Sequence, residues 1–174
     1  MPKIIENVRE KLLEESKRQV MELGYSNMTI RSVASACGVG VGTVYNYFSS
    51  KDMLVASFML TDWQQCMEKL QTVSESSNNP SELLKCVYDE LQVFIQKYIA
   101  LFQDKSAGTS FASALPQRHE QLRSQIAAPL KKLCRQQTGA DADFLAEFIA
   151  ENMLTWTMEG RTYEEISSIL LLLF

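Results

Sequence analysis

The chain has 174 residues, 46% hydrophobic and 22% charged, with 7 Gly and 4 Pro. That balance fits a soluble, helix-rich globule and argues against a disordered chain or a β-sandwich. Net charge is −4, but residues 1–51 carry seven Lys/Arg against five Glu while the remainder carries ten against sixteen acids, so a weakly basic head precedes an acidic body, as suits a nucleic-acid reader.

The one histidine and four cysteines lack CxxC or comparable spacing, which removes zinc and haem attachment; no metal and no cofactor are expected. The start, PKIIENVREKLLEE, is charged and amphipathic, which points to a reduced, cytoplasmic protein. The longest apolar run, Ile169–Phe174, is far below the roughly 20 residues of a membrane span.

In chain order, Ile5, Val8, Leu12, Val20 and Leu23 recur at helical spacing, so residues 4–23 read as a first helix ended by Gly24. Thr29 is a good N-cap for a second helix of about two turns, with Ile30, Val33 and Ala34 on one face. Gly38 falls where a helix commonly closes in a left-handed conformation, and Val39 can plug the corner that follows. A further helix, Val41 to Phe48, turns Val44 and Phe48 inward and leaves Thr43, Tyr45, Asn46 and Tyr47 outward. This is a helix-turn-helix, and the outward side chains suit base edges and phosphates. Gly38-Val39-Gly40-Val41-Gly42 has no strand before it and no P-loop lysine after it, so a phosphate-cradling loop is the weaker reading. Ser50 caps the next helix, and Lys51 beside that cap opposes the helix dipole, which gives it another purpose.

The stretch resembles the tetracycline-repressor (TetR) family of bacterial transcription regulators. The matching residues are Gly24-Tyr25, Met28-Thr29, Arg31, Val33-Ala34, Ala36, Gly38-Val39, Gly42-Thr43-Val44-Tyr45, Tyr47-Phe48, Lys51 and Leu54. The resemblance implies an all-α protein, with a three-helix DNA-binding domain over residues 1–50 and a helical effector-binding and dimerisation domain over residues 51–174. On that reading Thr43, Tyr45, Asn46 and Tyr47, with Gly40 and Val41 at the start of the helix, meet the major groove of double-stranded DNA, and Thr29, Arg31 and Lys51 hold phosphates. The phosphate roles of Tyr45, Tyr47 and Lys51 are carried over from the motif. Gly40-Val41 and Asn46 depart from residue types common among relatives, so the operator is not inferred.

Beyond the motif, Met59, Trp63, Cys66 and Leu70 continue a fourth helix, which is continuous with the DNA-reading unit and is the natural lever into the body. SESSNNPS breaks it, Ser81 can cap a fifth helix, and Leu84, Val87, Leu91, Phe94, Ile95, Tyr98 and Phe102 form a stripe wide enough to be buried on more than one side. Asp104 to Leu115 reads as a loose short helix or a loop. Pro116 can start the next helix, which Pro129 kinks or breaks and Gly139 ends. Asp141 caps a helix to Met158, Gly160 follows, and a last helix runs from Thr162.

Met59, Trp63, Met67, Phe94, Tyr98, Phe102 and Phe111 are candidates to line a cavity for a small apolar effector, an idea that the family resemblance motivates and for which ordinary core is the alternative. The helix 142–158 is apolar around most of its surface, and Leu171, Leu172 and Phe174 point away from the stripe Ile166, Ile169, Leu170 and Leu173. Leu154, Met158, Leu171, Leu172 and Phe174 are therefore the expected homodimer interface. The function expected is a dimeric repressor released from a near-palindromic operator by its effector. A helical protein-interaction module and, more remotely, a small-molecule-binding enzyme are the alternatives; no catalytic constellation is visible and an enzyme is not expected.

Overall fold

The computed structural model describes residues 7–104, 115–137 and 141–174, the side chains at 102, 115–118 and 137 excepted. Their order is α1 (Val8–Leu23), α2 (Ile30–Ala36), α3 (Val41–Tyr47), α4 (Lys51–Ser76), α5 (Pro80–Gln103), α6 (Leu115–Gln137), α7 (Ala142–Met158) and α8 (Tyr163–Leu170), closed by a 3-10 turn, Leu171–Leu173. No strand occurs among the described residues. The fold is all-α.

The chain divides into two compact units: one takes α1–α3, α4 through Asp62 and α5 from Tyr98, and the other takes α4 from Trp63, α5 through Lys97 and α6–α8. The first unit therefore extends past residue 50, because part of two long helices packs with it.

In the first unit α1 buries Leu12, Leu13 and Val20, α2 buries Ile30, Val33 and Ala34, α3 buries Val44, α4 buries Leu54, Val55 and Phe58, and α5 buries Tyr98 and Leu101. A buried polar network runs through it. The Tyr98 hydroxyl donates to Asp62 Oδ2 (2.6 Å), and Lys17 Nζ of α1 donates to Asp62 Oδ1 (2.6 Å). The Tyr98 ring also stacks with Phe58, centroids 6.2 Å apart. Three helices thus share one carboxylate, whose charge is paired and hydrogen-bonded as burial demands.

The second unit has one continuous core, drawn from Leu70, Leu84, Val87 and Leu91, from Ile126, Leu130 and Leu133 of α6, from Ile149, Met153 and Leu154 of α7, and from Ile166 and Leu170 of α8. Its helix ends obey local rules. Asp141 Oδ1 accepts from the backbone N–H of Asp143 and Phe144, and Thr162 and Glu165 form a reciprocal capping box.

Three expectations change. Asn79, not Ser81, caps α5: its Oδ1 accepts from Ser81 N (3.0 Å) and Pro80 takes the first helical position, where its missing N–H costs nothing. Pro129 does not break α6, which runs on to Gln137; the Pro129 carbonyl accepts from Ser74 Oγ of α4 (2.6 Å). In α8 Ile169 is 54% exposed and outside the buried stripe, while Leu173 and Phe174 pack partly on the core. The chain tightens from α-helix to 3-10 after Leu170, and the angular positions of the following residues shift. The loop expected between Asp104 and Leu115 and the stop at Gly139 lie largely outside the described residues.

Candidate nucleic-acid interface

Thr29 and Ser32 fix the entry to α2. Thr29 Oγ1 accepts from Ser32 N (3.0 Å) and Ser32 Oγ accepts from Thr29 N (3.1 Å). Ser32 Oγ also lies 2.6 Å from Gln19 Oε1, so the start of α2 is tied to α1.

At the other end Gly38 has φ 68, its N–H reaches Ser35 O (3.1 Å), and Val39 N reaches Ala34 O (3.0 Å). That pair of bonds is a Schellman closure, which needs a left-handed residue and so favours glycine. The turn aims α3 outward. Val44 and Phe48 are buried, and Val41, Gly42, Tyr45, Asn46 and Tyr47 are exposed, with Thr43 half-buried.

Thr29, Arg31, Val41, Tyr45 and Lys51 come together around an open concavity of about 460 Å³, which Ser26, Met28 and Ile30 complete. Two of its walls carry cations. Gly40, Thr43, Asn46 and Tyr47 do not line it; they lie along α3 and at its start.

Lys51 has a structural partner that periodicity could not disclose: its Nζ donates to the Tyr25 carbonyl (2.5 Å) and stands 4.0 Å from the Tyr25 ring centroid. The Tyr25 hydroxyl in turn donates to Asp52 Oδ1. Burial pulls the Lys51 pKa below its ordinary value, against the opposing pull of Asp52 and Asp104, and burial with the Asp52 bond pushes the Tyr25 phenol up. Tyr25 thus holds the ammonium at the rim of the concavity.

Ser26, also missed, donates from Oγ to Asp104 Oδ2 at the end of α5 (2.9 Å). The only sequence signal for either residue was the Gly24-Tyr25 step of the motif.

The apolar candidates separate. Trp63 and Phe94 meet edge to face at 5.2 Å, Met67 packs on the same core, and Trp63 Nε1 donates to Gln125 Oε1 (2.5 Å). Met59 and Tyr98 belong to the first unit, where Tyr98 is fully buried. The side chain of Phe102, and Phe111 altogether, lie outside the described residues.

For the interface candidates the structure makes one correction. Leu154 is 3% exposed and sits in its own protomer's core, because α6 and α8 cover that side of α7. Met158, Leu171 and Leu172 are exposed, and Phe174 is half-buried. Phe144 (71%), Phe148 and Ile169 are also exposed, and periodicity alone did not single them out.

His119 is not a lone surface histidine: its Nε2 lies 3.0 Å from Glu151 Oε1. Among the described residues no group of three or more His, Cys, Asp or Glu could hold a metal ion, and no helix is long and apolar enough to cross a membrane.

Residues 12–58, which span α1 to α4 and include every lining residue of the concavity, match the model of the bacterial regulatory proteins of the tetR family. The chain belongs to the TetR family. Members of that family are DNA-binding regulators and not enzymes.

Over 79 residues the chain is 30% identical to an uncharacterized HTH-type transcriptional regulator, YerO, of Bacillus subtilis, covering 44% of this chain and 27% of that protein. Over 106 residues it is 26% identical to the HTH-type transcriptional repressor KstR of Mycolicibacterium smegmatis, covering 61% and 52%. The matches thus span about a quarter and about half of those relatives' lengths. In fold the TetR-family chain is similar to Thermus thermophilus FadR, a TetR-family transcriptional repressor solved in complex with lauroyl-CoA, with TM-score 0.62, 21% identity and coverage of 95% and 92%.

Proposed function

We propose that this TetR-family chain is a dimeric transcriptional repressor that works in the cytoplasm, binds a near-palindromic operator and is released by a small, largely apolar effector. The observation that carries the reading is the first unit's geometry: α3 is exposed beside a concavity walled by Thr29, Arg31 and Lys51. Hydroxyl and cationic donors flanking a helix of groove-sized diameter are what backbone positioning plus base readout require.

Domain roles follow from the same division. Residues 1–50 read DNA and residues 51–174 bind effector and partner, with α4 and α5, each shared between the two compact units, as the elements that link them. For the effector, the support is the aromatic and thioether set Trp63, Met67 and Phe94, together with the acyl-CoA ligand of a relative in fold. For the dimer, it is the exposed apolar stripe Phe144, Phe148 and Met158 on α7 with Ile169 and Leu172 beyond it.

The test is binding of fluorescent genomic duplexes in the presence and absence of candidate ligands. Saturable, competitor-resistant binding that long-chain acyl-CoA or another apolar ligand abolishes is expected. Binding that no apolar ligand weakens, while charged metabolites do, would contradict the effector assignment.

A further inference from the structure

Nothing inside the protein accounts for the surface of α3. Val41 is 38% exposed, although the next valine, Val44, is fully buried. A β-branched aliphatic side chain left on a helix surface contributes neither burial nor helix propensity. Beside it Gly42 is exposed in mid-helix, and a Cβ built there would meet nothing within 4 Å. Its backbone is not in the positive-φ region, so neither conformation nor internal packing requires glycine. A glycine that weakens its helix and has free space around it fits a surface that another molecule approaches closely.

The chemistry of the same helix narrows what approaches. From Val41 to Tyr47 there is no Lys, Arg, Gln, Asp or Glu. In the major groove guanine offers two acceptors, which call for a forked or cationic donor, and cytosine offers an amino donor, which calls for a carboxylate. Helix α3 carries neither. Adenine offers an acceptor beside a donor, which the amide of Asn46 matches, and thymine offers a methyl group, which an exposed Val41 matches. Asn46 is exposed and its side chain makes no hydrogen bond among the described residues. Arg31, the other residue able to reach a guanine, stands on α2.

We propose that α3 reads A·T pairs: Val41 packs on a thymine methyl, with Gly42 allowing the close approach, and Asn46 pairs with the major-groove edge of adenine. This rests on the DNA-binding reading above and adds the base chemistry to it.

The experiment selects duplexes from a random-sequence pool with the full chain, then substitutes the selected site one base at a time. Uracil in place of thymine removes only the methyl, and the 7-deaza forms of adenine and guanine remove only N7. The expected sites have an A·T core in each half. Uracil at one position per half-site should weaken binding about fourfold, the equivalent of one apolar carbon group, and Val41→Ala should erase that difference while leaving non-specific affinity unchanged, which shows the fold is kept. 7-Deazaadenine should weaken the wild type and not Asn46→Ala.

Uracil tolerated throughout, or a dominant 7-deazaguanine effect that persists in Arg31→Ala, would overturn the assignment while leaving DNA binding intact. If no sequence is enriched and no duplex is bound, the DNA-binding reading itself falls, and this inference with it.

Discussion

Lys51 joins a local rule to a distant partner. Its ammonium rests against the carbonyl and ring of a residue 26 positions earlier, and burial lowers its pKa. Because the folded value lies below the unfolded one, the fold is penalised for keeping Lys51 charged at neutral pH; that penalty is relieved as pH rises through the folded value towards 10.5. DNA affinity has the opposite sign, since the phosphate needs the charge, and it should start to fall at a lower pH than an ordinary lysine would give. Arginine does not titrate in this range. Wild type should therefore lose affinity on mild alkalinisation while Lys51→Arg holds it, as measured by anisotropy across a pH series. Lys51→Ala should weaken all sequences alike and lower the salt slope by about 0.9; a changed sequence preference with an unchanged slope would show that Lys51 reads bases. Gly38→Ala places a Cβ at φ 68 and should cost about 1 kcal/mol of stability in urea unfolding.

At the scale of elements, α1, α4 and α5 are bound through one carboxylate, since Lys17 and Tyr98 both donate to Asp62. Tyr98→Phe keeps the stacking on Phe58 and removes a buried hydrogen bond to a charged group, so unfolding should become easier by about 1.5–3 kcal/mol. An unchanged urea midpoint would mean that the hydroxyl contributes nothing net. What was legible beforehand follows the range of each interaction. The caps at Thr29, Asp141 and Thr162 and the turn at Gly38 are set by residues within a few positions, and they stand where the sequence placed them. Asn79 was overlooked because Pro80 behind it, and not the serine after it, marks the first turn. Asp62 with Tyr98, Lys51 with Tyr25, and Ser26 with Asp104 join residues far apart in the chain, and no periodicity connects them.

For the whole molecule the question is which apolar surface is left for a second copy. The width of the stripe on α7 was readable, but which flank its own neighbours cover depends on tertiary packing, and Leu154 fell on the covered side. Two substitutions separate the cases. Leu154→Glu buries an unpaired charge in the protomer and should cost about 3–5 kcal/mol of stability, seen as a lowered unfolding midpoint. Phe144→Glu and Leu172→Glu change exposed positions and should yield folded monomers by analytical ultracentrifugation. Wild type sedimenting as a monomer at micromolar concentration, or both variants remaining dimeric, would remove the proposed interface. A dimer of this kind sets two α3 helices into successive major grooves about 34–36 Å apart, which is why a near-palindrome is expected.

The most direct test of the central claim is an anisotropy titration of genomic duplex fragments with the full chain, repeated between about 50 and 200 mM salt. The account predicts two protomers per near-palindromic site, with affinity that falls steeply as salt rises and survives excess random duplex. Absence of binding at low salt, or binding indifferent both to salt and to competitor sequence, would contradict it.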